Sequence, residues 1–520
     1  MIKEALTPKK RKPQKSLNNF KDKTIKSTRI PKKDMTLKTA KKYLLTAIIF
    51  LVGFTASAQN SDQSVINLWT KKDLKFNSPK TGNPLLPGYY ADPTILEDNG
   101  TFYIYATSDM RSWDDITKLA VWTSKDFLNW KCDYLNWPTK EACKSNTGTA
   151  SGVWAPSVIK ATNGKFYMYV TIGQEIWVGV ADRPTGPWKN AKTDNTPLVL
   201  HKEYFYVETI DAECFIDEDG QAYLYWGSSD SGRDIEGRCL AVKLNPDMIS
   251  FAEMPKDVTP PHYFEAPYMF KKNGQYYFSY SWGKTWDETY QIRYSTGPTP
   301  FGPWKEGMVR PILSTDDGDN KIKSTGHHTI LKFKDKYYIV YHRFNTLDKY
   351  DISQKLRQVA VDDLNFNPNG SLQRVVTTHK GVGALQSIQI KPNLAFGAKV
   401  ISSADLDTVA TKAKFAVDEN NGTLWIGGKY EQEWLQLDLS VVKSFDEIQI
   451  FPEFPIKAYQ YKIQVSTDNN SWNQADDQWE NTKIGSPMVS QSKIEARYIR
   501  IILKNEKENP RPGIWEVKIY

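Results

Sequence analysis

The sequence predicts an all-β protein: a five-bladed β-propeller followed by a β-sandwich domain. Three observations lead there. A turn followed by a Tyr-rich alternating strand recurs five times. After residue 392 the strands continue in a different rhythm. Long helix-period segments are scarce in the mature chain, and 520 residues call for more than one domain.

The chain opens with a basic leader. Residues 1–42 carry fifteen Lys or Arg against three acids, so the formal charge of +8 leaves the remainder at −4. A mildly acidic body has no phosphate-reading footprint, which argues against a nucleic-acid partner. A short apolar run at 43–54 follows Lys38, Lys41 and Lys42 and precedes ASAQ at 56–59. This is the order of a secretory signal peptide, and the run is short for a bilayer span, so a membrane anchor is the weaker reading. The expectation is cleavage after Ala58, a natural start at Met35, a secreted or periplasmic product and no span in the mature chain. Residues 59–80 form a lead-in.

The repeat occupies 81–392. Its copies are GTFYIY at 100–105, GKFYMY at 164–169, GQAYLY at 220–225, GQYYFSY at 274–280 and DKYYIVY at 335–341. A short apolar run and a polar turn precede each, which makes a hairpin. Third strands follow at 119–124, 176–181 and 240–244. Steps of 54 to 64 residues with several strands each fit propeller blades. From 393 to 520, the segments LQLDL (435–439), EIQIF (447–451), YKIQV (461–465) and YIRII (498–502) alternate as half-buried antiparallel strands of a sandwich.

The four cysteines, Cys132, Cys143, Cys214 and Cys239, admit two readings in an exported protein. Cys132–Cys143 and Cys214–Cys239 each close a local loop, or all four thiols are free.

Counting back eight to ten positions from each hairpin turn reaches Asp92, Trp154, Asp211, Glu265 and His327. First strands of propeller blades line the axis, so residues in phase converge at one end. Any one of these carboxylates alone reads as a turn or cap residue; three in phase on a repeat read as a site. Glycosidic bond cleavage needs two carboxyl groups of opposed protonation, and burial or a third carboxylate keeps one of them protonated.

The motifs YADP (90–93), GVWAP (152–156), DAECFIDEDG (211–220), FEAP (264–267) and GHH (326–328) resemble glycoside hydrolase family 43. The resemblance covers roughly 80–390, with the motifs in the family's order. It implies a five-bladed propeller that hydrolyses arabinofuranosyl or xylosyl linkages of plant or algal polysaccharides with inversion. Asp92 is then the general base, Glu265 the general acid, and Asp211 the residue that tunes and orients Glu265. Two departures stand out: Ala266 where the family has Gly, and Ala212 where Pro is more frequent. His327 is implied near substrate and near a channel calcium ion, directly or through water.

Arg343 either hydrogen-bonds sugar hydroxyls, anchors Asp92 or makes a rim salt bridge. Trp154 either stacks on a sugar or packs in the core. Trp113 and Trp286 sit in Asp-bearing loops that suit subsites, and 316–320 (DDGDN) reads as a solvated loop.

The segments FAVD (415–418), TLW (423–425), WLQLDL (434–439), RYIRI (497–501) and IWEV (514–517) resemble the coagulation factor 5/8 type C, discoidin-like domain, also seen in family 32 carbohydrate-binding modules. This resemblance implies a structural calcium held by Asp418, Thr423 and Glu516 with backbone carbonyls. It also leaves open whether the module binds sugar or braces the propeller. No organic cofactor is indicated. The alternatives to an arabinofuranosidase or xylosidase are a galactan- or galactofuranoside-directed hydrolase and a non-catalytic glycan-binding propeller.

Overall fold

A computed structural model describes residues 73–520 except 111, 113–114, 145–151, 230–235, 316–321, 345–355, 388–390, 407–409 and 506–510. The segment expected to be a signal peptide, Trp113 and residues 316–320 therefore lie outside the described residues. No helix among the described residues is long and apolar enough to cross a membrane.

Five antiparallel sheets follow one another, each running outward in chain order. Their inner strands are Tyr90–Asp98, Val153–Lys160, Glu213–Ile216, Glu265–Lys272 and Gly326–Phe333. Each Tyr-rich strand of the repeat pairs next to its inner strand, as the hairpin reading requires. Alternation gives every blade two apolar faces, and each face packs on a neighbouring blade. Phe102, Ile104 and Trp122 of blade 1 meet Val340, Val359 and Val361 of blade 5. The next boundary buries Tyr105 and Val121 with Met168, Val170 and Trp177, and similar clusters fill the remaining three.

Blade 5 has three strands of its own. The lead into blade 1 runs along its outer edge: the Leu85 N–H donates to Val359 O, and the Asn83 side chain bonds both N and O of Val361. The start of the propeller thus closes its last blade.

The four cysteines are free and buried. Cys132 lies between blades 5 and 1 while Cys143 lies between blades 1 and 2. Cys214 and Cys239 likewise face opposite sides of blade 3. Both local disulfides are corrected to free thiols, because a blade separates the partners.

After residue 392 a seven-stranded sheet forms a separate domain. Its two long strands, Gln432–Pro452 and Met488–Lys504, break register at Asp438/Lys443 and Phe445/Glu447. These irregularities bend one sheet around an apolar core that includes Leu435, Ile450, Ile463 and Ile501. This is the β-sandwich of a discoidin-like fold. Trp425 is fully buried there.

Candidate active site

Each propeller blade has one positive-φ residue on its axial segment, within the first strand in blades 1, 2, 4 and 5 and two residues before it in blade 3. Asp92, Ala155, Asp211, Ala266 and His327 all have positive φ, between 37° and 57°. In blades 1, 2, 4 and 5 the ladder slips at this residue. A bulge re-aims the side chains around it. It also corrects the expected phase: Asp92, Asp211 and His327 occupy the bulge, whereas Trp154 and Glu265 stand one residue before it. The turn-based count could not see this offset because its window spanned several positions.

The bulge frees backbone N–H groups, and the preceding blade satisfies them. Ala155 N–H donates to Thr107 Oγ1 (2.9 Å), Asp211 N–H to Thr171 Oγ1 (3.1 Å) and His327 N–H to Ser281 Oγ (2.9 Å). Asp92 N–H donates to His342 Nδ1 (3.3 Å), which closes the ring between blades 5 and 1. One polar side chain on a second strand thus locks each of these catalytic turns.

Asp92 is buried, and both of its oxygens are held. Oδ1 accepts Arg357 Nη1–H at 2.8 Å and lies 3.2 Å from His327 Nδ1; Oδ2 accepts the Thr107 hydroxyl at 2.8 Å. Burial alone would raise this carboxyl, but the Arg357 charge and then His327 outweigh it and hold Asp92 well below the usual range. Arg357 is itself fixed. Its Nε and Nη2 fork onto Asp109 at 2.9 and 2.7 Å, and its backbone N–H reaches the same carboxylate at 2.8 Å.

Glu265 has the opposite environment. Burial and then the Asp211 charge raise its carboxyl. Tyr290 O–H donates to Oε1 at 2.7 Å and Ser228 O–H to Oε2 at 3.2 Å. Asp211 is also raised, by burial against the opposing His327 charge, with Asp92 adding to the rise. His327 Nδ1 stands 3.6 Å from Asp211 Oδ2. Burial disfavours its charge, but Asp211 and Asp92 prevail and lift it to about 9. The site is thus polarised: its cations favour a charged Asp92, burial and Asp211 favour the protonated form of Glu265, and the two aspartates favour an imidazolium at His327.

Several of these residues escaped the sequence reading. Arg357, Asp109, Tyr290, Ser228 and Thr107 lie on second or third strands or at strand ends, where the repeat gives no signal. Arg343 is corrected. It is buried, and its Nη2 lies 3.3 Å from His379 Nδ1, away from the carboxylates. Strand alternation explains the miss: His342 faces Asp92, so the next residue faces away. Arg357 holds Asp92 instead. Trp154 is partly exposed at Glu265's phase in blade 2. His328 is buried against Tyr268, with Nε2 2.7 Å from Ser279 Oγ.

The channel does not present a protein-built calcium cage. His327 Nδ1 is committed to two carboxylates, and two residues beyond the bulges the facing positions are Thr94, Ser157, Glu213, Tyr268 and Thr329, with one carboxyl among them. No group of three or more His, Cys, Asp or Glu suited to a metal occurs among the described residues.

The C-terminal module presents a better donor set. Asp418 Oδ2 accepts the Thr423 hydroxyl at 2.9 Å, and Glu516 Oε2 accepts Glu419 N–H at 2.9 Å. Glu516 Oε1 is buried without a hydrogen-bond partner among the described residues. Two buried carboxylates, a hydroxyl and an unsatisfied oxygen suit a hard cation.

Comparison with known proteins agrees with this geometry. The model of glycosyl hydrolases family 43 matches residues 81–372, and that of the F5/8 type C domain matches 398–517. The β-D-galactofuranosidase xynD of Aspergillus niger is 31% identical over 328 residues, 59% of this chain and 88% of that protein. An arabinoxylan arabinofuranohydrolase of Bacillus subtilis is 30% identical over 346 residues, 59% of this chain and 66% of that one. A xylosidase/arabinosidase of Bacteroides ovatus is 28% identical, covering 56% and 96%. Among solved structures, one titled glycoside hydrolase superposes with a TM-score of 0.71 at 30% identity, over 86% of this chain and all of that one.

Proposed function

The chain belongs to glycosyl hydrolases family 43 and hydrolyses O-glycosyl bonds, and on that premise we propose that it cleaves arabinofuranosyl or xylosyl linkages of plant or algal polysaccharides with inversion. The observation that carries this reading is the contrast in partners: Asp92 is held by the Arg357 guanidinium and His327, whereas Glu265 meets only hydroxyl donors and the Asp211 charge. Glu265 gives its proton to the leaving glycosidic oxygen as the C–O bond breaks. Asp92 takes a proton from the water whose oxygen bonds the anomeric carbon. Asp211 keeps negative charge beside Glu265 and so favours its protonated form. His327 restrains both aspartates.

The test is sugar release from nitrophenyl glycosides and native polysaccharides by the chain starting at Gln59, with NMR of the first anomer released. Glu265→Gln is expected to lose about 10²–10⁴-fold on polysaccharide. It should lose less on nitrophenyl glycosides, whose leaving group needs no proton. Equal rates for parent and variant would remove Glu265 from the mechanism.

A second reading, a galactofuranoside-directed hydrolase, is favoured by the Aspergillus niger relative and belongs in the same panel. A non-catalytic glycan-binding propeller has no need for three converging carboxyl groups. Export through the leader is part of the proposal, as is a structural calcium ion at Asp418, Thr423 and Glu516. The calcium is tested by a rise in Tm over a chelator control that Glu516→Gln abolishes.

A further inference from the structure

The residues that hold the base are attached to the C-terminal domain. Tyr89 stands three positions before Asp92, Met110 follows Asp109, and Leu356 precedes Arg357. All three pack in one apolar cluster with Phe454 and Trp515 of the C-terminal domain. The Tyr89 ring lies 5.2 Å from that of Trp515, edge-on at 70°, and 5.4 Å from that of Phe454. Trp515 is anchored in turn by its Nε1–H to Glu453 O at 3.1 Å. The Tyr89 carbonyl accepts Asp109 N–H at 3.0 Å, and Asp109 is the carboxylate on which Arg357 forks. The residue after Arg357, Gln358, donates from Nε2 to Asn421 O of the same domain at 3.0 Å.

We propose that the C-terminal domain is a working part of the catalytic centre: Phe454 and Trp515 seat Tyr89 and, through Asp109 and Arg357, position the Asp92 carboxylate. Tyr89 is then a positioning residue, and the domain acts on the base whether or not it binds glycan. The inference rests on Asp92 being the base. The groups facing Asp92 are Arg357, His327, His342, Thr107, Asp211 and Glu265. Among the donors that hold the Asp92 carboxylate, Arg357 is flanked in sequence by Leu356 and Gln358, both of which contact the C-terminal domain. Loosening the seat therefore weakens one cation on Asp92 and leaves His327 in place, and the base should protonate at higher pH.

The experiment uses the full chain and substitutes the C-terminal side of the contact. Phe454→Ala is expected to lower kcat on the order of tenfold with a smaller change in KM. The acidic limb of its pH profile should move up by roughly half a unit or more. Tyr89→Ala should do the same. Phe454→Leu, which conserves volume, serves if the alanine variant does not fold. If the Phe454 and Tyr89 variants keep the parent's kcat and acidic limb while Tm falls, the contact is docking alone and the inference is wrong. Asp92→Asn separates the two failures. An active Asn variant sinks the base assignment itself, and an inactive one beside unaltered Phe454 variants sinks only the coupling.

Discussion

The Tyr290 hydroxyl favours the charged form of Glu265, against burial and Asp211, which favour the acid. Tyr290→Phe should therefore push the Glu265 carboxyl higher still. The alkaline limb of the rate profile should move up by about a unit or less, and turnover on unactivated substrates should fall several-fold. An unchanged limb would mean that Tyr290 only packs. The same ring depends on a glycine. A Cβ on Gly326 would stand 1.9 Å from Tyr290 Cε1, so Gly326→Ala must displace the ring and with it the hydrogen bond to Glu265. Its rate loss should match or exceed that of Tyr290→Phe. At this scale the carboxylates were legible because a repeat places them in phase, and chemistry makes three of them conspicuous. Arg357 was not. Arg343 lay closer to a recognisable hairpin, and nothing in one sequence says which of two arginines a strand turns toward the axis.

The element that makes the site is the bulge in each inner strand. Strand alternation, apolar faces and tight turns could be read from residue types, so the hairpins and blades were visible. A bulge shifts the phase by one residue and leaves no compositional mark beyond a following Pro in three of five blades, Pro93, Pro156 and Pro267. Hence Glu265 and Trp154 were grouped with residues that stand one position later. Ala266 shows what the bulge demands. It sits at φ 56°, where an L-residue pays about 1–2 kcal/mol and glycine does not. The Gly more usual in the family fits the same backbone. Ala266→Gly should keep activity with stability within about 1 kcal/mol of the parent, because strain relief offsets added chain entropy. Ala266→Val, β-branched at positive φ, should cost more and move Glu265 off its two donors. Thermal unfolding together with kcat for the pair checks this: equal kcat would show that the bulge does not aim the acid.

The whole propeller pays for its channel in a way that pH exposes. Two residues past Asp211 in blade 3, Glu213 is half-buried, with the Ser157 hydroxyl donating to Oε2 at 2.8 Å. Burial pushes it from 4.5 to about 8, with Ser157 and His327 only partly opposing. Asp362 in blade 5 is pushed to about 7 in the same way, against the hydroxyls of Thr378 and Tyr341. A carboxyl with a raised folded pKa binds its proton more tightly in the native state. Its contribution is whole below the unfolded value and is lost as pH rises to the folded one. His327 acts with the same sign from 6.5 to about 9. Asp92 has the opposite sign, but its window lies below the ordinary carboxylate range. His328 and His342, whose imidazoles burial lowers, work the other way up to about 6.5, but the raised carboxyls, Asp211 and Glu265 included, outnumber them from about pH 5 to pH 8, and Tm should fall by several degrees. Glu213→Gln keeps an acceptor for Ser157 and removes the titration, so its Tm should decline less steeply and exceed the parent's near pH 8. A parallel decline in parent and variant would show that Glu213 is not protonated in the folded channel, and that the charge balance under the catalytic layer is set by some other group.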